Sequence, residues 1–424
     1  MRLSRFQLVA VLLLLAFALT ACGGGAAAPA AGGDVGVEIL TGSVDEQWEQ
    51  ILALGRAEGE VNFEMWCGND NINTWIDSWV SPQMQEQYGI TVNRVCPGGA
   101  STFDRVLAGV EQGVEDPNDT FWTNGVNSAN MISEGLFYGP VVQRLPNWLA
   151  YVDPNADDLV VDFGFPNQGY ESPYTRTQFT LFYDSAKISD PPQNLEELKQ
   201  WILDNPGRFT YPNPDVDFTG DAFLKTIFYG TNSAGGNGPF LTGFDEALLE
   251  ESAESTWDYL NEIKSSLWRE GATYPETNGE LEVLWQNGEV DFIMSYGPFR
   301  GQTLIGNGTA PDTTRSIVFE NGTVANANFI AIFANAPNKA ASMVFLNFML
   351  DPNTQLQWYN PATWGNLPSV DLNKVPADVA ADFAAVDIGD ATPPLDLLAE
   401  RALAEMNSAY AEPLQQLWVV NVLE

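Results

Sequence analysis

Between residues 320 and 358 the spacing of apolar positions changes period. Val324 to Phe333 is an extended run, and a turn at Pro337-Asn338 follows. Ala341, Val344, Phe345 and Phe348 then recur at i, i+3, i+4 and i+7, the apolar face of a helix. Asn326 and Asn328 sit inside the extended run, so a strand carries amides through apolar sequence, as strands do beside a wet or occupied surface. Upstream, Val61–Trp66 alternates apolar with polar, and Ile90–Val95 and Thr120–Thr123 read as two further strands. A helical face marked by Trp48, Ile51 and Leu52 precedes them, and another, marked by Phe103, Val106, Leu107 and Val110, lies between the second and third. Strands alternating with helices argue for an α/β chain with a parallel, doubly wound sheet. Such sheets hold ligands beyond the carboxyl ends of their strands. Here those ends are Gly68–Asn71 and Asn124–Asn127.

The middle of the chain repeats the alternation. Residues 177–184 (TQFTLFYD) are extended, with Phe179, Leu181 and Tyr183 set against Gln178 and Thr180, and Asp190-Pro191-Pro192 stops the run. Asn194 caps a helix with Glu197 at the capping-box position. Arg208–Pro212 reads as a strand, Phe218 opens a helix, and Leu260, Ile263 and Leu267 line another up to Glu270. Leu281, Leu284 and Trp285 mark one more helix, and Val290–Tyr296 is a strand. Beyond Trp364 the chain is polar and proline-interrupted, then helical from about Leu395 onward. No internal repeat is present.

The start of the chain is different. Arg2 and Arg5 precede an apolar run over residues 8–21, too short to span a bilayer as a helix and suited to a signal-peptide core. It ends in Leu19-Thr20-Ala21-Cys22, which resembles the lipobox of bacterial lipoproteins; the resemblance implies cleavage before Cys22 and acylation of its thiol, the alternative being a plain secretory signal. Residues 23–36 are rich in Gly, Ala and Pro and read as a flexible tether reaching roughly 20 Å. Two cysteines remain, Cys67 and Cys96. Each follows a strand, and adjacent parallel strands would bring them together as a disulfide; two free buried thiols are the alternative. Histidine is absent from the 424 residues. That removes Ser-His and Cys-His catalysis and leaves a metal site without imidazole. No nucleophile elbow or phosphate-binding loop appears either. A formal charge of −38 excludes nucleic acid as a partner, because phosphate contacts need Lys and Arg.

Several segments recur together in one known family: LPN (145–147), TQFTLFYD (177–184), PGRFTYP (206–212), DFTGDAFL (217–224), NGEVDFIMSY (287–296), VANANFIAI (324–332), NKAA and WGN (364–366). In this order they resemble the YnjB-type extracellular solute-binding proteins of ABC importers, over roughly 45–370. The resemblance implies a two-lobed type II periplasmic-binding-protein fold, each lobe a mostly parallel sheet flanked by helices, joined by crossing strands. It implies a first lobe over 37–176, a second over 177–325 and a return over 326–370, with a C-terminal helical region, 371–424, that fits either lobe. It also implies an ABC permease and its ATPase as partners, an extracytoplasmic place on the membrane, and no cofactor or bond chemistry. The cysteine pair departs from the family pattern and would stiffen the loop after the first strand.

The ligand-binding candidates are Asn69, Asp70 and Asn71 after the first strand, Asn124 and Asn127 after the third, Gln178 and Tyr296 at the lobe junction, and Asn326 and Asn328 on the return strand. For each, turn chemistry or helix capping is the competing role. Trp66, Trp122, Trp285 and Trp364 are candidates for stacking on a cationic ring, with core packing as the alternative. Arg176, Arg208, Arg300 and Arg315 would favour an anion if free, and ion pairing is the commoner use. The solute that suits acidic and aromatic walls is a cationic or aromatic amine such as thiamine, or a polyamine. Competing classes are a secreted glycoside hydrolase using two carboxylates and a non-transporting sensor or adhesin on the same fold.

Overall fold

The computed structural model describes residues 40–98 and 101–424. The signal segment, Cys22 and the tether lie outside the described residues. The first strands follow the spacing of the sequence: β1 (Glu60–Glu64), β2 (Thr91–Val95) and β3 (Thr120–Thr123). They pair in parallel, β1 between β2 and β3, with Glu64 opposite Val95. Cys67 and Cys96 leave the ends of β1 and β2 and form a disulfide, with Cα atoms 5.6 Å apart.

After a two-residue hairpin, β4 (Val161–Asp162) with β5 (Phe165–Pro166), the chain enters β6 (Glu171–Gln178) and, one residue later, β7 (Thr180–Asp184). This is the outward crossing. Its hydrogen bonds change hands at Phe179: Ala325 lies opposite Gln178 in one sheet, and Thr180 lies opposite Ser295 in the other. The second sheet contains β8 (Phe292–Ser295), β7 and β9 (Thr314–Ile317), all antiparallel. The return strand β10 (Thr323–Ile332) is antiparallel to β6 and β3, and β11 (Leu367–Pro368) and β12 (Ala402–Ala404) complete the first sheet, ordered β11-β6-β10-β3-β1-β2 with β12 on β10. Parallel pairing is thus confined to β1–β3 and to β12 with β10. The smaller sheet is antiparallel because its central strand arrives straight from the first sheet, against the direction of both neighbours.

Two large apolar cores accompany the sheets. One gathers Val61, Phe63, Ile330, Val344 and Phe345; the other gathers Phe182, Phe209, Phe223, Ile263 and Phe292. Helix Lys339–Met349 is buried on all sides rather than on one face. Small residues allow it: a Cβ added at Gly55 would sit 3.1 Å from the Ala341 backbone. Its amino end is capped from outside, Glu58 accepting from the Ala341 N–H at 2.6 Å. Residues 208–212 form no strand, and the C-terminal stretch is not one helix. It runs Leu395–Glu400, then β12, then Ala411–Trp418, with Tyr410, Leu414 and Trp418 in the second core. Among the described residues no helix is long and apolar enough to cross a membrane.

Candidate functional site

The site is built where β3 ends, where the two crossings run, and where the second sheet ends. Asn124 leaves β3 with extended backbone and does not cap the helix Gly125–Ser133 that it precedes. Its amide instead donates to Asn328 Oδ1 at 3.4 Å, and the Trp122 indole N–H donates to the same oxygen at 3.1 Å. Trp122 packs against Trp66 and Trp364, with ring centres 6.3 and 5.6 Å away. Trp66 remains 55% exposed. Three of the four candidate tryptophans therefore form one wall. The fourth, Trp285, is buried in the second core.

Asn326 and Asn328 flank Ala327, which faces the first core, so both amides leave the opposite face of β10. Asn326 Oδ1 accepts from the Thr177 hydroxyl at 2.6 Å, and its buried Nδ2 finds no acceptor among the described residues. Gln178 is buried and donates to Thr323 at 3.1 Å, while its backbone N–H meets the Tyr296 carbonyl at 3.1 Å. Gln178 thus holds the crossing together. Asn69 caps helix Asp70–Trp75, accepting from the N–H groups of Asn71 and Ile72. Asp70 and Asn127 lie exposed on first helical turns. All four candidate arginines are ion-paired: Arg176 with Asp158, Arg208 with Asp291, Arg300 with Glu282, and Arg315 with Asp390.

Tyr296 leads to groups that periodicity passes over. Its hydroxyl donates to Glu405, just past β12. Glu405 and Asp221 flank the Lys225 ammonium at 3.0 and 2.7 Å, all buried. Burial pulls the Lys225 pKa down, but the two carboxylates outweigh it and the net shift is upward. Lys225 lies 4.9 Å from the centre of the Phe163 ring and 5.9 Å from that of Phe218. Phe218 is 45% exposed and packs on Tyr296 at 5.1 Å. A lysine four residues after an aspartate, inside the apolar stretch AFLKTIF, was the one local signal for this cluster.

Phe163 tips the β4–β5 hairpin with φ +46°, a left-handed backbone that is strained for a bulky residue. The strain is held by contacts on both sides. Its neighbour Asp162 accepts from the Gly125 N–H at 2.7 Å, its carbonyl accepts from the Ser408 N–H at 2.8 Å, and Gly164 fits against Leu241 and Asn407 where a Cβ would clash. The hairpin therefore straps the first sheet's side of the junction to the second. Beneath it, Asp162 and Glu171 are buried, and among the described residues no lysine or arginine pairs with either. Burial pushes Asp162 up to about 7 and Glu171 well above the ordinary carboxylate range. Two open surface hollows of about 460 and 430 Å3, beside Trp48 and Tyr88 and beside Trp201 and Arg208, lie away from these strand ends.

Two sheets joined by paired crossing strands, with polar and aromatic groups gathered at the junction, define a two-lobed solute-binding protein. Solved structures share the architecture. A putative spermidine/putrescine ABC transporter protein from Listeria monocytogenes matches at TM-score 0.56 and 16% identity, covering 85% of this chain and 98% of that one. A periplasmic thiamin binding protein matches at TM-score 0.55 and 17% identity, covering 86% and 96%. By sequence, the chain is 31% identical over 384 residues to protein YnjB of Escherichia coli K12, covering 88% of this chain and 93% of that protein. Residues 80–385 match the bacterial extracellular solute-binding protein family, and the chain belongs to it. It serves an ABC transporter as substrate-binding protein.

Proposed function

We propose that the protein captures a small solute between its lobes at the Trp122–Asn328–Asn124 constellation and hands it to an ABC permease driven by its ATPase. The observation that carries this reading is the shared acceptor: two donors from the end of β3 converge on one amide of the return strand, beside a half-exposed aromatic wall. Groups so placed orient a small ligand rather than stabilise a core. In this reading the first lobe comprises 37–176 and 326–370 and the second 177–325, and packing of Tyr410 and Trp418 into the second core supports placing the chain's end there. Acylated Cys22 and the tether hold the receptor at the outer surface of the membrane, where it binds without catalysing. Amines such as thiamine or a polyamine are the first solutes to try, since fold neighbours named for thiamin and for spermidine/putrescine share this architecture.

A thermal-shift screen of the full-length protein against small solutes tests the reading. A true solute at a hundred times its Kd adds about 2.7 kcal/mol of stability. Asn124→Ala and Asn328→Ala should each weaken it about tenfold, near the 1.4 kcal/mol of one lost hydrogen bond, without unfolding the protein. Unchanged affinity in both variants would place the solute elsewhere, and cleavage of a glycan without any shift would favour a hydrolase.

A further inference from the structure

We infer that the solute is an organic cation whose charge is neutralised by Asp162 and Glu171; this rests on the receptor reading above and names its ligand class. Four carboxylates are buried about the lobe junction: Asp162, Glu171, Asp221 and Glu405, exposed by 2, 1, 3 and 5%. One lysine, Lys225, serves Asp221 and Glu405. Among the described residues no lysine or arginine pairs with the other two, and the Gly125 N–H meets only one oxygen of Asp162. Neither oxygen of Glu171 has a hydrogen bond, and Oδ1 of Asp162 has none. The donor the two acids share is the Ser128 hydroxyl, whose single proton Thr123 also contests at 2.9 Å. An unpaired buried carboxylate is among the costliest groups a fold can carry. Such a pair persists when it holds a proton or when a cation arrives from outside.

Three features define the cation. The amino end of helix Gly125–Ser133, which would otherwise suit an anion, is already taken by Asp162. The rings at hand, Phe163 and Phe218, already face one ammonium, so they accept diffuse positive charge. Among the described residues no three acids are grouped to hold a metal ion. An ammonium or a charged heteroaromatic ring meets all three conditions.

The groups facing the pair are Ser128 and the Gly125 N–H from the helix and Glu405 from beyond β12, with Asp221, Lys225 and Tyr296 behind Glu405. The pair holds a proton near neutrality because burial raises both acids, and a neighbouring carboxylate adds to it, Asp162 for Glu171 and Glu405 for Asp162. An arriving cation displaces that proton to the solvent, so binding releases protons and tightens as pH rises.

Titration calorimetry of the full-length protein with thiamine, choline, putrescine and spermidine, and with phosphate, glutamate and glucose, tests the inference. A cation should bind with proton release, read from buffers of different ionisation enthalpy, and tighten about tenfold from pH 6 to pH 7. Glu171→Gln should weaken it at least tenfold while raising the melting temperature of the unliganded protein. If that variant fails to fold, Asp162→Asn and the wild-type proton count decide. Binding of an anion or neutral solute, or of a cation equally well to Glu171→Gln without proton release, overturns the inference and leaves the receptor standing. Failure of every solute overturns both.

Discussion

Asp162 gives the stability of the unliganded protein a pH dependence of definite sign. Burial raises its carboxyl from 3.8 to about 7. Between those values the folded protein keeps a proton that the unfolded chain has lost. The stabilisation is therefore complete below pH 4 and gone once pH has risen through 7. At about 1.4 kcal/mol per pH unit, the part lost between pH 5 and pH 8 is about 3 kcal/mol. With an unfolding entropy of about 0.8 kcal/mol/K for a chain of this size, that is about 4 °C of melting temperature. Glu171 shifts in the same direction and steepens the trend. Asp162→Asn removes the titrating group, while its amide oxygen can still accept from the Gly125 N–H. Thermal unfolding of wild type and variant at pH 5 and pH 8 is the assay. Wild type should melt lower at pH 8, and the variant should show a clearly smaller difference. A wild type more stable at pH 8, or a variant with the same slope, would refute the reasoning.

Two further outcomes follow from the same contacts. Cys67→Ser opens a cross-link between positions 29 residues apart and should cost about 3–4 kcal/mol from loop entropy; urea unfolding measures it, and a midpoint equal to wild type would contradict the bridge. Lys225→Met leaves Asp221 and Glu405 buried without their cation and should cost about 3–5 kcal/mol at pH 8; calorimetry that finds no loss at pH 8 would show the triad to be dispensable.

Much of the fold was legible without coordinates. The expected limits of β3, Thr120–Thr123, are those of the structure, and Asn194 caps Leu195–Asp204 as its spacing with Glu197 predicts. The cysteine pair joins neighbouring parallel strands as expected. The run at 208–212 reads as a strand but forms none, since an apolar alternation says nothing about whether a partner edge is available. Of the candidate site residues, Asn124 and Asn328 meet, whereas Asn69 caps a helix and Gln178 ties the crossing strands.

Alternation, helical period and capping depend on residues within one turn of each other, so the chain by itself determined β1 to β3, the two crossing runs, the cap at Asn194 and the sidedness of Asn326 and Asn328. It could not determine the company of Asp162 and Glu171. Their isolation depends on a hairpin tip, a helix amino end and the residue after β12 meeting at one junction, and on Lys225 being spent on two other acids. Burial and charge balance are sums over groups remote in sequence, and only the tertiary structure performs that sum.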